Sequence, residues 1–145
     1  MTTTKAAACV AAVAVAAFCL QSSGQQFQKT PIVFTCQCKD PAAVHYATAF
    51  RDLLAESPVY EEVHAPADPT IPEPGKAVPW TISVISIDPS DRKDGAQTAL
   101  SVVLSVAGIF MDHTVQICGD MSVKKCAEHT FAFADQNIVP LKAGD

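Results

Sequence analysis

Cysteine and histidine are the residue types with the most obvious chemistry in this sequence. Thiolate and imidazole are the ligands that zinc prefers, and a tetrahedral site needs four of them. One such set would consist of Cys36, Cys38, Cys126 and His129. Cys118 and His113 are a second possible source of the last two ligands. A structural zinc site usually shows two close ligand pairs with known spacing, and this motif is only half made, so a metal- or thiol-using protein is the alternative hypothesis.

Disulfide bonds are the first hypothesis for the same residues. The sequence has six cysteines, and Cys9 and Cys19 lie in the N-terminal segment that would be removed as a signal peptide. Four remain, and an even number of cysteines in an exported domain predicts disulfides, with three possible pairings. A direct Cys36–Cys38 bond would be strained, because neighbours on one face of a strand are too far apart without buckling.

The Cys118–Cys126 pair is the predicted local disulfide. Gly119 and Asp120 form a tight reversal that can bring the two α-carbons within about 4.4–6.8 Å. Alternation along the strand places Cys118 opposite Ile117 and away from the following helix, so this pairing requires the strand to twist or to end. Otherwise Cys36 or Cys38 becomes the partner of Cys126.

Recognisable catalytic motifs do not occur in the sequence. It has no Gly-x-Ser-x-Gly turn, no phosphate-binding loop and no His-Glu-x-x-His helix. His113 is in phase with Met111 and Val115 and is expected to point inward, whereas the other histidines, His45, His64 and His129, are expected at the surface. We therefore predict no catalytic residue and no cofactor.

The N-terminal segment has the layout of a secretory signal. Lys5 is followed by the apolar run AAACVAAVAVAAFCL, which is shorter than the about 20 residues that span a bilayer. Ser22 and Gly24 suit cleavage after Gly24. The sequence thus predicts a signal peptide at 1–24, a single domain at 25–145, no membrane span in the mature chain, and a periplasmic or secreted location.

The charge balance argues against nucleic acid as a partner. Removal of residues 1–24 would leave 121 of the 145 residues and would take away Lys5 and no acidic residue, so the formal charge of −5 would become −6. An acidic domain without a basic patch lacks the electrostatic requirement for binding nucleic acid or anionic lipid.

Two amphipathic helices and five strands are predicted along the mature chain. Asp40 and Pro41 start a helix that ends at Glu56, and a second helix covers about 121–137, with Phe131 at the centre of its apolar stripe. Strands are predicted in PIVFTCQC, VYEEVHA, WTISVISID, QTALSVVLSVA and IFMDHTVQIC. A proline-rich loop at 65–79 separates the second strand from the third.

This order, strand–helix–strand–strand–strand–strand–helix, predicts an α+β fold. Two helices that each bury one stripe would pack on one face of a mostly antiparallel sheet and form a two-layer sandwich.

The helix phrase AFRDLLAESPVYEEV and the strands TISVISID and ALSVVLSV resemble the amino-terminal domain of TolB-type periplasmic proteins. The resemblance covers roughly residues 31–138, while the proline-rich insert and the four cysteines depart from the pattern. It implies a non-catalytic interaction domain in the cell envelope, and it transfers no site residue. The first hypothesis for function is therefore a periplasmic or secreted module that binds a protein or another envelope component through its sheet edge or its proline-rich loop.

Overall fold

The computed structural model describes residues 28–138 except 67, 69–70, 72–73 and 88–96. The predicted signal peptide therefore lies outside the described residues. The elements follow one another as β1 (Thr30–Gln37), α1 (Pro41–Glu56), β2 (Tyr60–Glu62), β3 (Trp80–Ile87), β4 (Gln97–Val106), β5 (Ile109–Gly119), a 3₁₀ turn (Asp120–Ser122) and α2 (Val123–Asn137). This is the predicted order of an α+β fold.

Helix α1 begins where the sequence predicts. Asp40 Oδ1 accepts a hydrogen bond of 2.8 Å from the Ala43 amide, and Pro41 occupies the first helical position, where its missing N–H leaves no donor unsatisfied. The helix ends at Glu56, before the Ser57–Pro58 pair. One face of α1 is buried, through Ala42, Ala43, Tyr46, Ala47, Phe50 and Leu54.

The five strands form one mixed sheet in the order β2–β1–β3–β4–β5. Strand β1 is parallel to both β2 and β3, whereas the β3–β4 and β4–β5 pairs are antiparallel. The sheet is therefore mixed: two of the four strand pairs among the described residues are parallel, and the two antiparallel pairs contain most of the paired residues. Helix α1 returns the chain so that β2 runs parallel to β1, and the connector at 63–79 is long enough to carry it back past β1 before β3 begins.

Both helices pack on the same face of the sheet, and the hydrophobic core lies between the two layers. The sheet contributes side chains that are almost fully buried, among them Ile32, Phe34, Ile82, Val84, Leu100, Val102 and Leu104. The Phe50 ring packs on Phe34, with ring centroids 4.9 Å apart. No helix among the described residues is both long and apolar enough to cross a membrane.

Phe131 is less deeply buried than its predicted position at the centre of the apolar stripe of α2 suggests. It lies on the inner side of α2, and its ring centroid is 5.6 Å from that of Tyr60 and 6.4 Å from that of Phe50. However, the side chain is only partly buried at the margin of the core. The fully buried positions of the α2 stripe are held by smaller side chains, Ala127, Thr130 and Ala134.

Candidate functional site

The structure pairs Cys118 with Cys126, with their α-carbons 6.2 Å apart. Cys118 lies opposite Thr98 of β4 and is fully buried on the side of the sheet that faces the helices. The expectation that Cys118 points away from α2 is therefore wrong, and the strand needs no twist to reach Cys126. The intervening turn is held by Ser122, whose Oγ accepts a bond from the Gly119 amide at 3.0 Å.

Cys36 is paired with Cys38, which corrects the expectation that a direct bond between them is disfavoured. Residues two apart in a regular strand are separated by about 6.6 Å, but these α-carbons are 5.2 Å apart. The shorter distance between the two α-carbons is possible because β1 ends at Gln37. Cys38 therefore lies outside the hydrogen-bonded strand. Two disulfide pairs indicate an oxidising compartment.

The four residues of the metal hypothesis are not brought together. Cys36 and Cys38 are paired with each other, and Cys126 is paired with Cys118. His129 is exposed on α2, where its Nδ1 lies 3.3 Å from Gln116 Oε1. Among the described residues no group of three or more His, Cys, Asp and Glu side chains is placed to hold a metal ion.

His113 is exposed on the sheet face opposite the helices, and the expectation that it points inward is wrong. It lies opposite Val103 of β4, and its ring centroid is 6.0 Å from that of Phe110. The other histidines are exposed as predicted, and His45 Nδ1 contacts Asp120 Oδ1 at 3.1 Å.

A buried network of hydrogen bonds joins α1, α2 and β5. The Tyr46 hydroxyl donates to Thr130 Oγ1 at 2.8 Å, and Gln116 Nε2 donates to the same oxygen at 2.6 Å and to the Cys126 carbonyl at 3.2 Å. Burial raises the pKa of Tyr46 from 10.0 to about 12. The phenol therefore stays protonated near neutral pH and acts as a structural donor rather than a general base.

Tyr60 has a similar structural role at the β2 edge. Its hydroxyl donates to Asp135 Oδ1 at 3.0 Å. Burial, and then the hydrogen bond to Asp135 and its negative charge, raise the pKa of Tyr60 well above the usual value. Neither buried tyrosine is poised for acid–base chemistry.

The face of β5 that sequence reasoning placed inside the protein is the exposed one. Ile117 is 68% exposed and Val115 is 63% exposed, whereas Thr114 and Gln116 alternate with them on the side of the helices. The position of Cys118 in the sequence could have revealed this, because side chains alternate along a strand and Cys118 is therefore on the same side as Thr114 and Gln116. A disulfide to the buried stripe of α2 requires that polar side to face the helices.

No described element covers the sheet face opposite the helices over β3, β4 and β5, and we call this surface the open face. Register places Ile85, Ser101 and Val115 in one row across these strands, and Ile87, Ala99 and Ile117 in the next. Ile85 is 44% exposed and Ile87 is 60% exposed. We call Ile85, Ile87, Val115 and Ile117 together the apolar patch.

A cavity of about 500 Å³ lies at the end of the sheet away from β5, between strands β1 and β2 and the connector. Its walls are mainly aliphatic and include Pro31, Val63, Ile71 and Val78. Glu61, His64 and Lys76 are the titratable residues among the described lining. They follow no known catalytic pattern, so the cavity does not indicate a reaction.

Comparisons with known proteins leave the family open. No family model and no curated protein matches the chain. Among solved structures it is similar to the hypothetical protein CT253 from Chlamydia trachomatis, with a TM-score of 0.37 and 10% sequence identity. The match covers 62% of this chain and 72% of that one.

Proposed function

We propose that this chain is an exported, non-catalytic interaction module that binds an extended segment of a cell-envelope protein along the outer edge of β5. The observation that carries the proposal is the edge itself. β5 is 11 residues long and pairs with β4 on one side, while its other side has no partner strand within the described part of the chain. An unpaired edge presents a row of amide and carbonyl groups to which another chain can add a strand.

The composition of β5 supports this use of the edge. From Thr114 to Gly119 the strand contains no proline, lysine or other charged residue, the devices by which proteins usually protect an edge from pairing. The Cys118–Cys126 pair holds its C-terminal end against α2. A rigid edge reduces the entropy lost when a partner strand binds.

Charge indicates the character of the partner segment. The chain without residues 1–24 would have a formal charge of −6, so an extended segment with basic residues beside alternating apolar ones would be favoured. The predicted signal peptide and the two disulfide pairs support an exported location, and the resemblance to TolB-type domains supports a partner in the envelope.

Site-specific photo-crosslinking in the producing cell tests this function. A photoreactive phenylalanine at Val115 should crosslink to one envelope protein, whereas the same probe at Val44, which is 49% exposed on α1, should not. Ile117→Lys places a charge on the edge strand, with its side chain on the open face, and should abolish the crosslink to that envelope protein. Equal crosslinking from both positions, or a crosslink that survives Ile117→Lys, would contradict the proposal.

Two measurements distinguish the proposed function from the alternative, a metal- or thiol-using protein built on Cys36, Cys38, Cys126 and His129. For protein purified without chelator, we expect no bound metal and no free thiol, because the four cysteines are paired. Stoichiometric zinc together with free thiols would support the metal hypothesis instead.

A further inference from the structure

The apolar patch is a continuous surface of four large side chains. Ile85 and Ile87 of β3 form one ridge, and Val115 and Ile117 of β5 form a second, with exposures between 44% and 68%. Adjacent strands are about 4.8 Å apart, so the two ridges are separated by about 10 Å. Contiguous apolar surface of this kind marks a site of interaction rather than scattered exposed residues.

Between the ridges, β4 presents two small side chains, Ala99 and Ser101. The open face therefore has a shallow groove along β4 with an apolar ridge on either side. A two-fold axis between β4 and β5 would place the β5 ridge of each copy in the β4 groove of the other. Such a contact is isologous, because each copy contributes the same ridge and the same groove.

Charge also favours a second copy on this face. Register places the following residues on the open face of β3, β4 and β5: Thr81, Ser83, Ile85, Ile87, Ala99, Ser101, Val103, Ser105, Phe110, His113, Val115 and Ile117. None of them is Asp, Glu, Lys or Arg. Two copies could bring these faces together without burying a carboxylate or an ammonium group, and the net negative charge of each copy would stay outside the contact.

We propose that a second copy of this chain covers the open face, so that two sheets pack face to face about 10 Å apart as a symmetric dimer. This contact goes beyond the proposed function, since it uses side chains of the sheet face rather than the backbone edge of β5. In this arrangement β4 and β5 of the two copies overlap over about 10 Å by about 27 Å, and the β3 ridge of each copy lies beside the β5 ridge of the other. A contact of two strands is small beside a standard interface, in which each partner buries about 800 Å² of accessible surface, so the dimer is reversible.

Sedimentation velocity of the purified chain, without any partner, tests this inference. The sedimentation coefficient should rise from that of a monomer to that of a dimer as the concentration goes from low to high micromolar. Val115→Asp should weaken dimerisation at least about tenfold. Val44→Asp, the same change at an exposed valine of α1, should leave it unaltered. A chain that stays monomeric throughout, or two variants with equal effects, would overturn the inference.

A second variant separates face-to-face from edge-to-edge association. Ser101→Trp fills the groove on β4 and should abolish the dimer, while the β5 edge remains available. Persistence of the dimer in Ser101→Trp would show that the copies meet at their edges and would refute the face-to-face contact. Crosslinking of Ser101→Trp to the envelope partner through the Val115 probe should persist, so the two proposals can fail separately. A thermal unfolding midpoint close to that of the wild-type chain confirms that each variant is folded.

Discussion

Buried polar side chains connect the layers of this domain residue by residue. Thr130 Oγ1 of α2 receives hydrogen bonds from Tyr46 of α1 and from Gln116 of β5. Asp40 joins the start of α1 to β4, because Thr98 Oγ1 donates to its Oδ2 at 3.0 Å. The fold would be less stable if any of these polar groups were buried without a hydrogen-bond partner. The bonds therefore favour one arrangement of the two helices on the sheet.

Tyrosine titration measures the burial of Tyr46 and Tyr60, the only tyrosines in the sequence. In the folded chain the near-ultraviolet absorbance of tyrosinate should begin to rise only at a pH well above 10, because the pKa of both tyrosines is raised. Tyr60→Phe should leave one transition near the Tyr46 pKa of about 12. A tyrosinate signal that appears in the folded protein at the ordinary pH of a phenol would contradict the buried positions.

The raised pKa of Tyr46 predicts that the folded chain loses stability at alkaline pH. The pKa of Tyr46 is higher in the folded chain than the value of 10.0 for an unfolded one, so above pH 10 the unfolded state releases its proton first. The Tyr46 contribution to stability is complete below pH 10 and falls as the pH rises towards about 12. Denaturant unfolding at several pH values should show this decrease, and Tyr46→Phe should reduce it.

Phe131 and Glu128 test the orientation of α2. Phe131→Ala should destabilise the fold by about 2–3 kcal/mol, less than the loss of a fully buried ring, because the side chain is only partly buried. Glu128→Ala, on the exposed side, should change the free energy of unfolding by less than about 0.5 kcal/mol. Equal midpoints of denaturation would show that the helix phase is wrong.

At the scale of the elements, the ends of α1 and β5 determine how the layers meet. Asp40 caps α1 while it contacts β4, and the Cys118–Cys126 pair joins the end of β5 to the start of α2. The direction of β5 relative to α2 depends on that junction. The polar side of β5 is turned inward because Gln116 finds acceptors on α2, and its apolar side is left on the open face.

The cap of α1 is tested by two substitutions of Asp40. Asp40→Ala removes the acceptor for both the Ala43 amide and the Thr98 hydroxyl, so we expect a loss of about 2 kcal/mol in a urea titration. Asp40→Asn keeps an oxygen for the Ala43 amide and should lose less. If both variants unfold at the same denaturant concentration, the cap contributes nothing beyond the charge.

The junction between β5 and α2 is tested by peptide mapping under non-reducing conditions. We expect a linked peptide with Cys118 and Cys126, and a double substitution of both by alanine should lower the stability by about 2–3 kcal/mol because the closed loop is short. A peptide that links Cys36 or Cys38 to Cys126 would refute this pairing.

At the scale of the whole molecule, one core joins the five strands and two helices of the described residues, and neither of these helices packs on the opposite sheet face. Trp80, the only tryptophan of the sequence, is 6% exposed and belongs to that core. Because the core is continuous, the loss of any part of it should destabilise the rest. Within the described part of the chain, the uncovered sheet face and the unpaired edge of β5 are therefore both supported by one cooperative core.

Unfolding should accordingly occur in a single step. Trp80 fluorescence and far-ultraviolet circular dichroism should give the same midpoint in denaturant, since the first reports on the core and the second on the secondary structure. Two separated transitions would show that part of the fold is stable without the core.

Local signals in the sequence were sufficient for the elements and for their order. Asp40–Pro41 specified the start of α1, and the apolar stripe of α2 specified its buried side, because caps and helical periodicity act within a few residues. The pairing of Cys118 with Cys126 was also proposed from local spacing.

Only the tertiary structure decided the strand directions and the inward side of β5. Direction in the sheet depends on crossovers between residues far apart in sequence, and parallel β1, β2 and β3 have no local signature. Alternation along β5 identified two faces but not which of them is covered. The side of β5 with Gln116 is the covered one, because Thr130 Oγ1 accepts a hydrogen bond from the Gln116 side-chain amide and so compensates for its burial. Val115 and Ile117, on the other side of the strand, remain at the surface.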